Sequence, residues 1–265
     1  KCLQAINQFE SYLRNYPNGR FALNAHFYKA DCQYRNEDYD AALRSFKVVA
    51  STPGNEFLEE ALLGVADISF RKERYEDALG FYQRLEREAA HEDEQREGLL
   101  GQMRCLARLD DHNQEVIDVT QKVLDAEKLS TDIEREARYL KAKAHIARDE
   151  TDLAFEEFRD LKENTSSEEG AEARYRVAQI LFDRGEADKA EQEIFDFVDV
   201  GTPHQYWIAR SFLLLSDIYK ERGEYFQARQ YLESLLENYK DRDDDIRELA
   251  NKRLDQLKEL ENSDA

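Results

Sequence analysis

Proline, glycine and cysteine are scarce in this sequence, with 3 Pro, 10 Gly and 3 Cys among 265 residues. Because proline and glycine interrupt helices, a chain with so few of them can form long uninterrupted helices. The three cysteines, Cys2, Cys32 and Cys105, have no CxxC spacing, so they predict no disulfide framework. Cys32 and Cys105 fall within helical patterns, where we expect them to be small buried apolar residues.

Positive charge is also in deficit, because 58 Asp and Glu outnumber 38 Lys and Arg and give a formal net charge of -20. Nucleic acids and anionic membranes attract clustered Lys and Arg, so the sequence argues against both as partners. No apolar run approaches the ~18 residues that a membrane span needs, and we expect no direct membrane insertion. Aromatic residues make up 11% of the chain, which argues against wholesale disorder.

The sequence lacks the motifs of catalysis and of cofactor binding. It contains no GxxxxGK[ST], GxGxxG or GxSxG motif, and its five histidines have no HxxxH or HExxH spacing. The segment Gly98-Leu-Leu-Gly101 lies in a helical pattern and has no following Lys, which argues against a phosphate loop. We interpret His91-Glu-Asp-Glu94 as a polar turn. The sequence therefore predicts a protein that is not an enzyme and has no catalytic residue, cofactor or metal ion.

An internal repeat dominates what is present. The phrase Tyr39-Asp-Ala-Ala42-Leu-Arg-Ser-Phe46 returns as Tyr75-Glu-Asp-Ala78-Leu-Gly-Phe-Tyr82 and, less closely, in other parts of the chain. Its small residue falls at positions 5, 42, 78, 116, 154, 190 and 228, with spacings of 37, 36, 38, 38, 36 and 38 residues. A nearly constant period of this length is typical of a repeat protein, in which each repeat is one supersecondary unit.

Each period divides into two amphipathic helices joined by a short polar turn. Apolar residues three and four apart mark the helices. Gly185 and Gly223 fall where the first helix of a pair must end in a left-handed residue. Pro17, Pro53 and Pro203 lie between one helix pair and the next, where a helix cannot continue. We expect the small residue of the second helix to mark the point where the two helices cross closely.

These residues resemble the tetratricopeptide repeat family over residues 1 to about 240. The resemblance implies an all-α, right-handed α-solenoid of about six helical hairpins, with a leading half repeat and a C-terminal capping helix. The implied division is a second helix of a truncated repeat at 1–18, six hairpins at 19–240, a capping helix at 241–261 and a disordered tail at 262–265. Repeat three departs most from the pattern, with Arg104 and Val116 at its small positions.

The opening of the chain resembles the bacterial cell-envelope branch of that family, which includes outer-membrane assembly lipoproteins and periplasmic envelope coordinators. The residues that carry this likeness are Ala5, Phe9, Tyr12-Leu13 and Tyr16-Pro17-Asn18, followed by Ala25, Tyr28 and Ala30. A periplasmic or outer-membrane-associated location is therefore favoured, and a cytoplasmic one stays open. Because the sequence begins inside a helical pattern, we interpret it as a fragment of a longer protein. The oligomeric state is left open.

The resemblance also implies a partner-binding groove, because the first helices of such repeats form a concave wall. Positions 15, 11 and 8 residues before each small residue face that groove. Exposed aromatic rows usually mark binding sites, although for any one ring core packing stays an equal alternative. The predicted groove residues are Phe27, Asp31, Tyr34, Asp67, Phe70, Arg108, Tyr139, Lys143, Tyr175 and Phe182.

The predicted function is that of a non-catalytic scaffold that binds a protein, as a peptide or a partner helix, in this groove. Two alternatives stay open: a structural spacer within a longer repeat array, and a regulatory domain that senses a peptide. The Lys and Asn clamp by which some family members grip a terminal carboxylate is missing, since Phe27 and Asp31 begin the corresponding row. Tyr139 and Tyr175 occupy equivalent positions, and we expect both to be exposed anchors.

Overall fold

The computed structural model describes residues 1–240 and 243–263, and within them it contains fourteen α-helices and no β-strand. The all-helical fold predicted from the sequence, a solenoid of tetratricopeptide-type hairpins, is confirmed. The helices are α1 (Cys2–Asn15), α2 (Ala22–Arg35), α3 (Tyr39–Ala50), α4 (Leu58–Arg71), α5 (Tyr75–Glu88), α6 (Glu92–Leu106), α7 (Asn113–Leu124), α8 (Thr131–Ala147), α9 (Thr151–Leu161), α10 (Glu168–Asp183), α11 (Ala187–Val200), α12 (Gln205–Glu221), α13 (Tyr225–Asn238) and α14 (Ile246–Ser263).

The chain divides into two compact units. Unit 1 is Lys1–Leu129 and contains α1 to α7, whereas unit 2 is Ser130–Ala265 and contains α8 to α14. Each unit has its own buried clusters of apolar side chains. In the part of the chain that the structure describes, no helix is both long and apolar enough to cross a bilayer.

The turn inside each hairpin contains one residue with a left-handed backbone. Gly185 and Gly223 have φ angles of 78° and 75°, as their positions in the sequence predict. The other four hairpins place Glu37, Glu73, Asp111 and Asp149 in the same conformation. In five of the six turns an N–H bonds back to the carbonyl five residues earlier, as at Asp38 to Gln33 over 2.9 Å. These bonds satisfy carbonyls that a helix end would leave without a partner.

Small side chains occupy the helix crossings. Most of the repeated small residues are completely buried at 0% exposure: Ala42, Ala78, Ala154, Ala190 and Ala228 in the second helices, and Ala30, Ala66 and Ala142 in the first. Members of one hairpin share a buried cluster, such as Ala30 with Ala42 and Ala66 with Ala78. Alanine at these sites lets the two backbones approach closely, because any longer side chain would have to displace its neighbours.

Repeat three is the least regular hairpin, as the sequence predicts. Its turn spans six residues, 107–112, whereas the other hairpins turn in three. Arg104, at the position that is small elsewhere, is exposed, and the neighbouring Cys105 is completely buried instead. Its first helix α6 instead lies very close to α5 of the preceding hairpin: a Cβ atom on Gly98 would lie 2.6 Å from the backbone nitrogen of Glu86.

Helix α14 closes unit 2 by packing an apolar stripe on α12 and α13. Ile246 and Leu257 are buried there beside Leu232 and Leu235, whereas Leu260 is exposed. The helix continues to Ser263, so the first half of the predicted 262–265 tail is helical in the structure. Residues 241 and 242 of the predicted capping helix, and 264 and 265 of the tail, lie outside the described residues.

The close contact between α5 and α6 gives a direct test of this packing. Gly98→Ala should lower the free energy of unfolding by ~1–3 kcal/mol, because the new methyl group meets the backbone of α5, including the Tyr82 carbonyl oxygen at 2.9 Å. Gly80→Ala is the matched control on the open face of α5, where a Cβ atom would meet nothing within 4 Å. It should gain ~0.5–1 kcal/mol from the better helix former. Denaturant unfolding measures both, and a stabilised Gly98→Ala variant would contradict the packing.

Candidate functional site

Unit 1 contains a concave pocket of about 400 Å³ between α2 and α4. We call it the unit-1 pocket. Four of the predicted groove residues line it, and the second helix of the first hairpin closes its floor. Its lining residues are Phe27, Asp31, Tyr34, Phe46, Glu60, Leu63, Gly64 and Asp67.

Aromatic rings fix the apolar part of the unit-1 pocket. The Phe27 ring stacks on Phe57 with centroids 4.3 Å apart and meets Phe46 edge-on at 6.1 Å. Gly64 makes room for Phe46, because a Cβ atom at Gly64 would lie 2.9 Å from that ring. Phe27 is therefore held by its neighbours while one part of the ring lines the cavity, which gives a rigid apolar surface.

Carboxylates surround this apolar surface. Asp31 pairs with Arg35 at 3.0 Å, and Asp67 pairs with Arg71 at 2.7 Å, each within its own helix. Both carboxylates stay about one-third exposed, at 34% and 30%. Glu60 is exposed, and within residues 1–240 and 243–263 it forms no salt bridge. The pocket therefore presents a negative rim to any ligand.

The hydroxyl of Tyr34 is already engaged. It donates a hydrogen bond to Oδ2 of Asp67 over 2.6 Å, so α2 is tied to α4. Burial raises the pKa of Tyr34, and the bond to the Asp67 carboxylate raises it further. The Tyr34 ring thus lines the pocket, and its hydroxyl holds two repeats together. The hydroxyl is therefore not available as a donor to a ligand.

Phe70 and Arg108 form a second pair in unit 1. Phe70 is half-buried and meets Tyr75 edge-on at 5.2 Å. The guanidinium of the exposed Arg108 lies 5.7 Å from the centre of the Phe70 ring. The face of an aromatic ring attracts a cation in this position. Arg108 therefore covers part of the Phe70 ring, which the sequence predicted to face the groove.

In unit 2, Tyr139 repeats the arrangement of Tyr34. Its hydroxyl donates to Oε2 of Glu172 on α10 over 2.6 Å, and Glu172 is buried. Burial raises the pKa of Tyr139, and the Glu172 carboxylate adds to the shift. The ammonium of Lys143 lies 5.3 Å from the Tyr139 ring centre and contacts its hydroxyl oxygen at 3.4 Å.

The expectation that Tyr139 and Tyr175 are both exposed anchors is wrong: Tyr139 is half-buried and Tyr175 is buried. Tyr175 is only 4% exposed and belongs to the main apolar cluster of unit 2. Its ring packs against Trp207 at 5.6 Å, and its hydroxyl accepts a hydrogen bond from Arg210 over 3.1 Å. Tyr175 is buried because Trp207 and Arg210 of the long helix α12 cover it. The repeat period cannot predict this covering, because it says nothing about the side chains of the next hairpin.

Phe182 is half-buried at the edge of a small cavity of about 160 Å³ in unit 2. Two arginines of later helices also line this cavity, Arg210 and Arg253. Arg253 holds Asp217 with Nη2 to Oδ2 at 2.8 Å and Nε to Oδ1 at 3.2 Å. The predicted groove residues of unit 2 therefore line a tighter and more occupied surface than those of unit 1.

The ties between first helices were missed by the sequence reasoning. Tyr34 pairs with Asp67 and Tyr139 with Glu172, and both pairs are separated by 33 residues. A tyrosine followed at this spacing by a carboxylate on the next first helix is a signal that could have identified them. Glu60, which completes the unit-1 pocket, was outside the predicted set because that set followed three fixed positions in each repeat. Leu63 lies at one of those positions, 15 residues before Ala78, and also lines the pocket.

One group of side chains has the composition of a metal site. Ligand atoms of Glu59, His91 and Glu94 all lie within 4.8 Å of one another. The Glu59 carboxylate, however, already accepts a hydrogen bond from the backbone N–H of Ala90 at 2.6 Å and lies 2.9 Å from Nδ1 of His91. The Ala90 N–H and then His91 lower the pKa of Glu59. These contacts explain the cluster as a brace between α4 and the start of α6.

Two parts of the chain are similar in sequence to known tetratricopeptide repeats. Models described as tetratricopeptide repeats match residues 1–56 and 205–242. No curated protein matches the chain. A tetratricopeptide repeat protein from Parabacteroides merdae is similar in structure, with a TM-score of 0.49 and 17% identity over 97% of this chain and 92% of that one. PilW, a type IV pilus biogenesis factor, aligns with a TM-score of 0.49 and 17% identity over 90% of this chain and 99% of that one. The two family matches and the repeated hairpins support the tetratricopeptide repeat assignment.

The bond from Tyr139 to Glu172 predicts a pH-dependent contribution to stability. Tyr139→Phe should lower the free energy of unfolding by ~1–2 kcal/mol at pH 8, since it removes the donor to Oε2 of the buried Glu172 carboxylate, whose Oε1 keeps its bond from Arg176. The folded state raises the pKa of Tyr139, so the contribution is complete below the unfolded tyrosine value of about 10 and is lost as the pH rises above it.

Denaturant unfolding of wild type and Tyr139→Phe at pH 8 and pH 11 measures this difference. The gap between the two proteins should shrink at the higher pH. Tyr28→Phe is the control, because Tyr28 is exposed and its hydroxyl makes no hydrogen bond to any described residue. A gap for Tyr139→Phe that stays constant over this range would show that the phenol proton does not hold α8 to α10.

Proposed function

We propose that this chain is a non-catalytic protein-interaction module that binds a peptide segment of a partner protein in the unit-1 pocket. Tetratricopeptide repeats are generally protein-interaction modules, and family matches lie at both ends of the chain. The observation that carries the proposal is the pocket itself. It is a cavity of about 400 Å³ with an aromatic surface held rigid by stacking and a rim of carboxylates.

The pocket favours an extended segment that carries an apolar side chain next to Lys or Arg. The apolar side chain would pack on Phe27 and Leu63, where rigid rings offer contact at little cost in conformational entropy. The cation would lie beside Glu60 and Asp31, which are accessible at the rim. An acidic segment would be repelled by the same groups, so charge selects among peptides of equal apolar content.

Unit 1 is the better candidate because, among the cavities that predicted groove residues line, its pocket is larger and less occupied than the one beside Phe182 in unit 2. In unit 2, Tyr175 is buried and Arg210 and Arg253 line the cavity beside Phe182. In unit 1, the rings of Phe27 and Tyr34 line a cavity of more than twice that size, about 400 Å³ against about 160 Å³. A ligand can therefore reach aromatic surface in unit 1 without first displacing an arginine.

Selection from a random peptide display library tests this proposal, with soluble synthetic peptides for affinity. We expect enriched peptides to combine an apolar residue with Lys or Arg. Glu60→Lys should weaken their binding by about 3- to 10-fold, or ~0.7–1.4 kcal/mol, because it reverses a charge at the rim. Glu97→Lys is the matched control, an exposed glutamate on α6 that does not line the pocket.

The outcome at Glu60 separates the proposed site from other surfaces. Equal losses for Glu60→Lys and Glu97→Lys would show that only net charge matters and would contradict a specific site. Enrichment of acidic peptides would contradict the proposed selectivity. Failure to enrich any peptide would contradict peptide binding and favour the alternative of a structural spacer.

A further inference from the structure

Helix α1 is the most weakly anchored helix of unit 1. It contains no fully buried residue, and its contacts to α2 are half-exposed. They follow an antiparallel register: the N–H of Phe21 donates to the hydroxyl of Tyr12 at 3.2 Å near the turn, and Phe9 stacks on Tyr28 at 6.3 Å further along. The same register brings the start of α1 beside the last turn of α2.

Two cysteines occupy these positions. Cys2 is the first residue of α1, and Cys32 lies three residues before the end of α2. Both are free and partly buried, and the register set by the Phe21–Tyr12 and Phe9–Tyr28 contacts places them on facing turns of α1 and α2. We propose that Cys2 and Cys32 form a reversible disulfide that fastens α1 to α2. The sequence predicted no such pair, because 30 residues separate the two cysteines and only the packing of α1 on α2 brings them together.

The third cysteine, Cys105, is by contrast a structural residue of the apolar core. Cys105 is completely buried in the cluster that includes Ala66 and Ala78, as its sequence position predicts. Burial raises the pKa of Cys105 to about 12, which suppresses the reactive thiolate. Cys32 differs from the expectation of a buried apolar residue, because it is accessible at the α1 and α2 boundary. Burial, followed by the neighbouring Cys2 thiol, raises the pKa of Cys32 to about 11, so its thiolate is also scarce at neutral pH and the exchange at Cys32 becomes faster as the pH rises.

The reaction is a thiol–disulfide exchange with a small-molecule disulfide such as oxidised glutathione. In the first step the Cys2 thiolate attacks one sulfur of the oxidant and releases one glutathione thiolate, which takes up a proton. In the second step the Cys32 thiolate attacks the Cys2 sulfur of the mixed disulfide and releases the second glutathione. The two protein thiols lose two protons and two electrons, and the oxidant gains them.

The cross-link would act on the helix that forms one wall of the unit-1 pocket. Cys32 follows Asp31 directly in α2, and Phe27 and Tyr34 belong to the same helix. A disulfide across 30 residues restricts the unfolded chain and removes local opening of α1. The effect of the disulfide is local to α1 and α2. It does not require that the unit-1 pocket bind a peptide.

Titration with a glutathione redox buffer, followed by intact-mass and peptide-mass analysis, tests the proposal on the whole chain. We expect wild type to lose the mass of two hydrogen atoms and to yield a linked pair of peptides that contain Cys2 and Cys32. Cys105→Ala should form the same link. Cys2→Ser and Cys32→Ser should form none, and neither should unfold, because both side chains are partly exposed.

Hydrogen exchange supplies the second measurement. Amides of α1 should exchange about tenfold more slowly in the oxidised protein than in the reduced one, because the link opposes local opening. Accumulation of glutathione on Cys2 and Cys32 without an internal link would overturn the proposal, since it would show that the sulfurs cannot meet. A link that involves Cys105 instead would overturn it as well. Neither result depends on whether the unit-1 pocket binds a peptide.

Discussion

The two helices of a hairpin can pack closely because a small side chain lies where they cross. Ala42, Ala78, Ala154, Ala190 and Ala228 all have 0% exposure at this point of the second helix. A larger side chain would separate the backbones and leave unfilled volume around the crossing. Repeat three departs from this pattern, because Arg104 and Val116 occupy its small positions. Its first helix α6 makes a different close approach, at Gly98, to α5 of the preceding hairpin. The spacing of the helices, and with it the position of each first helix, depends on this constraint.

A second set of interactions joins successive first helices. Tyr34 binds Asp67, and Tyr139 binds the buried Glu172, each across one repeat. Because each tyrosine hydroxyl is engaged in such a bond, it is not available to a ligand, and only part of each ring can contact one. They also orient the carboxylate of Asp67 at the unit-1 pocket. The pocket is therefore a consequence of repeat packing, and its apolar floor and charged rim come from residues that also stabilise the fold.

The sequence was sufficient to predict the hairpins, because a period set by small residues and turns is a local property. It was also sufficient to predict Gly185 and Gly223 as left-handed. Glu37 and Glu73 adopt that conformation against their own preference, so only the surrounding turn determines it. The site was predicted less well. Phe27, Asp31, Tyr34 and Asp67 line one pocket, whereas Tyr175 is buried by residues of the following hairpin.

Equivalent positions thus share a helix face but not an environment, since the covering side chains differ from repeat to repeat. The contact between Cys2 and Cys32 depends on the register of a hairpin, which no local pattern encodes. The bacterial cell-envelope location, based on the opening residues, stays a prediction.

Equilibrium unfolding of Ala78→Leu beside Val116→Leu tests the central constraint most directly. Both residues are buried at the small position of a second helix in unit 1, at 0% and 4% exposure, but Val116 already holds a branched side chain. If small side chains set the helix spacing, Ala78→Leu should lose ~1–3 kcal/mol of unfolding free energy and Val116→Leu clearly less. A neutral Ala78→Leu variant would contradict the account, because it would show that the crossing has room for a full-length side chain.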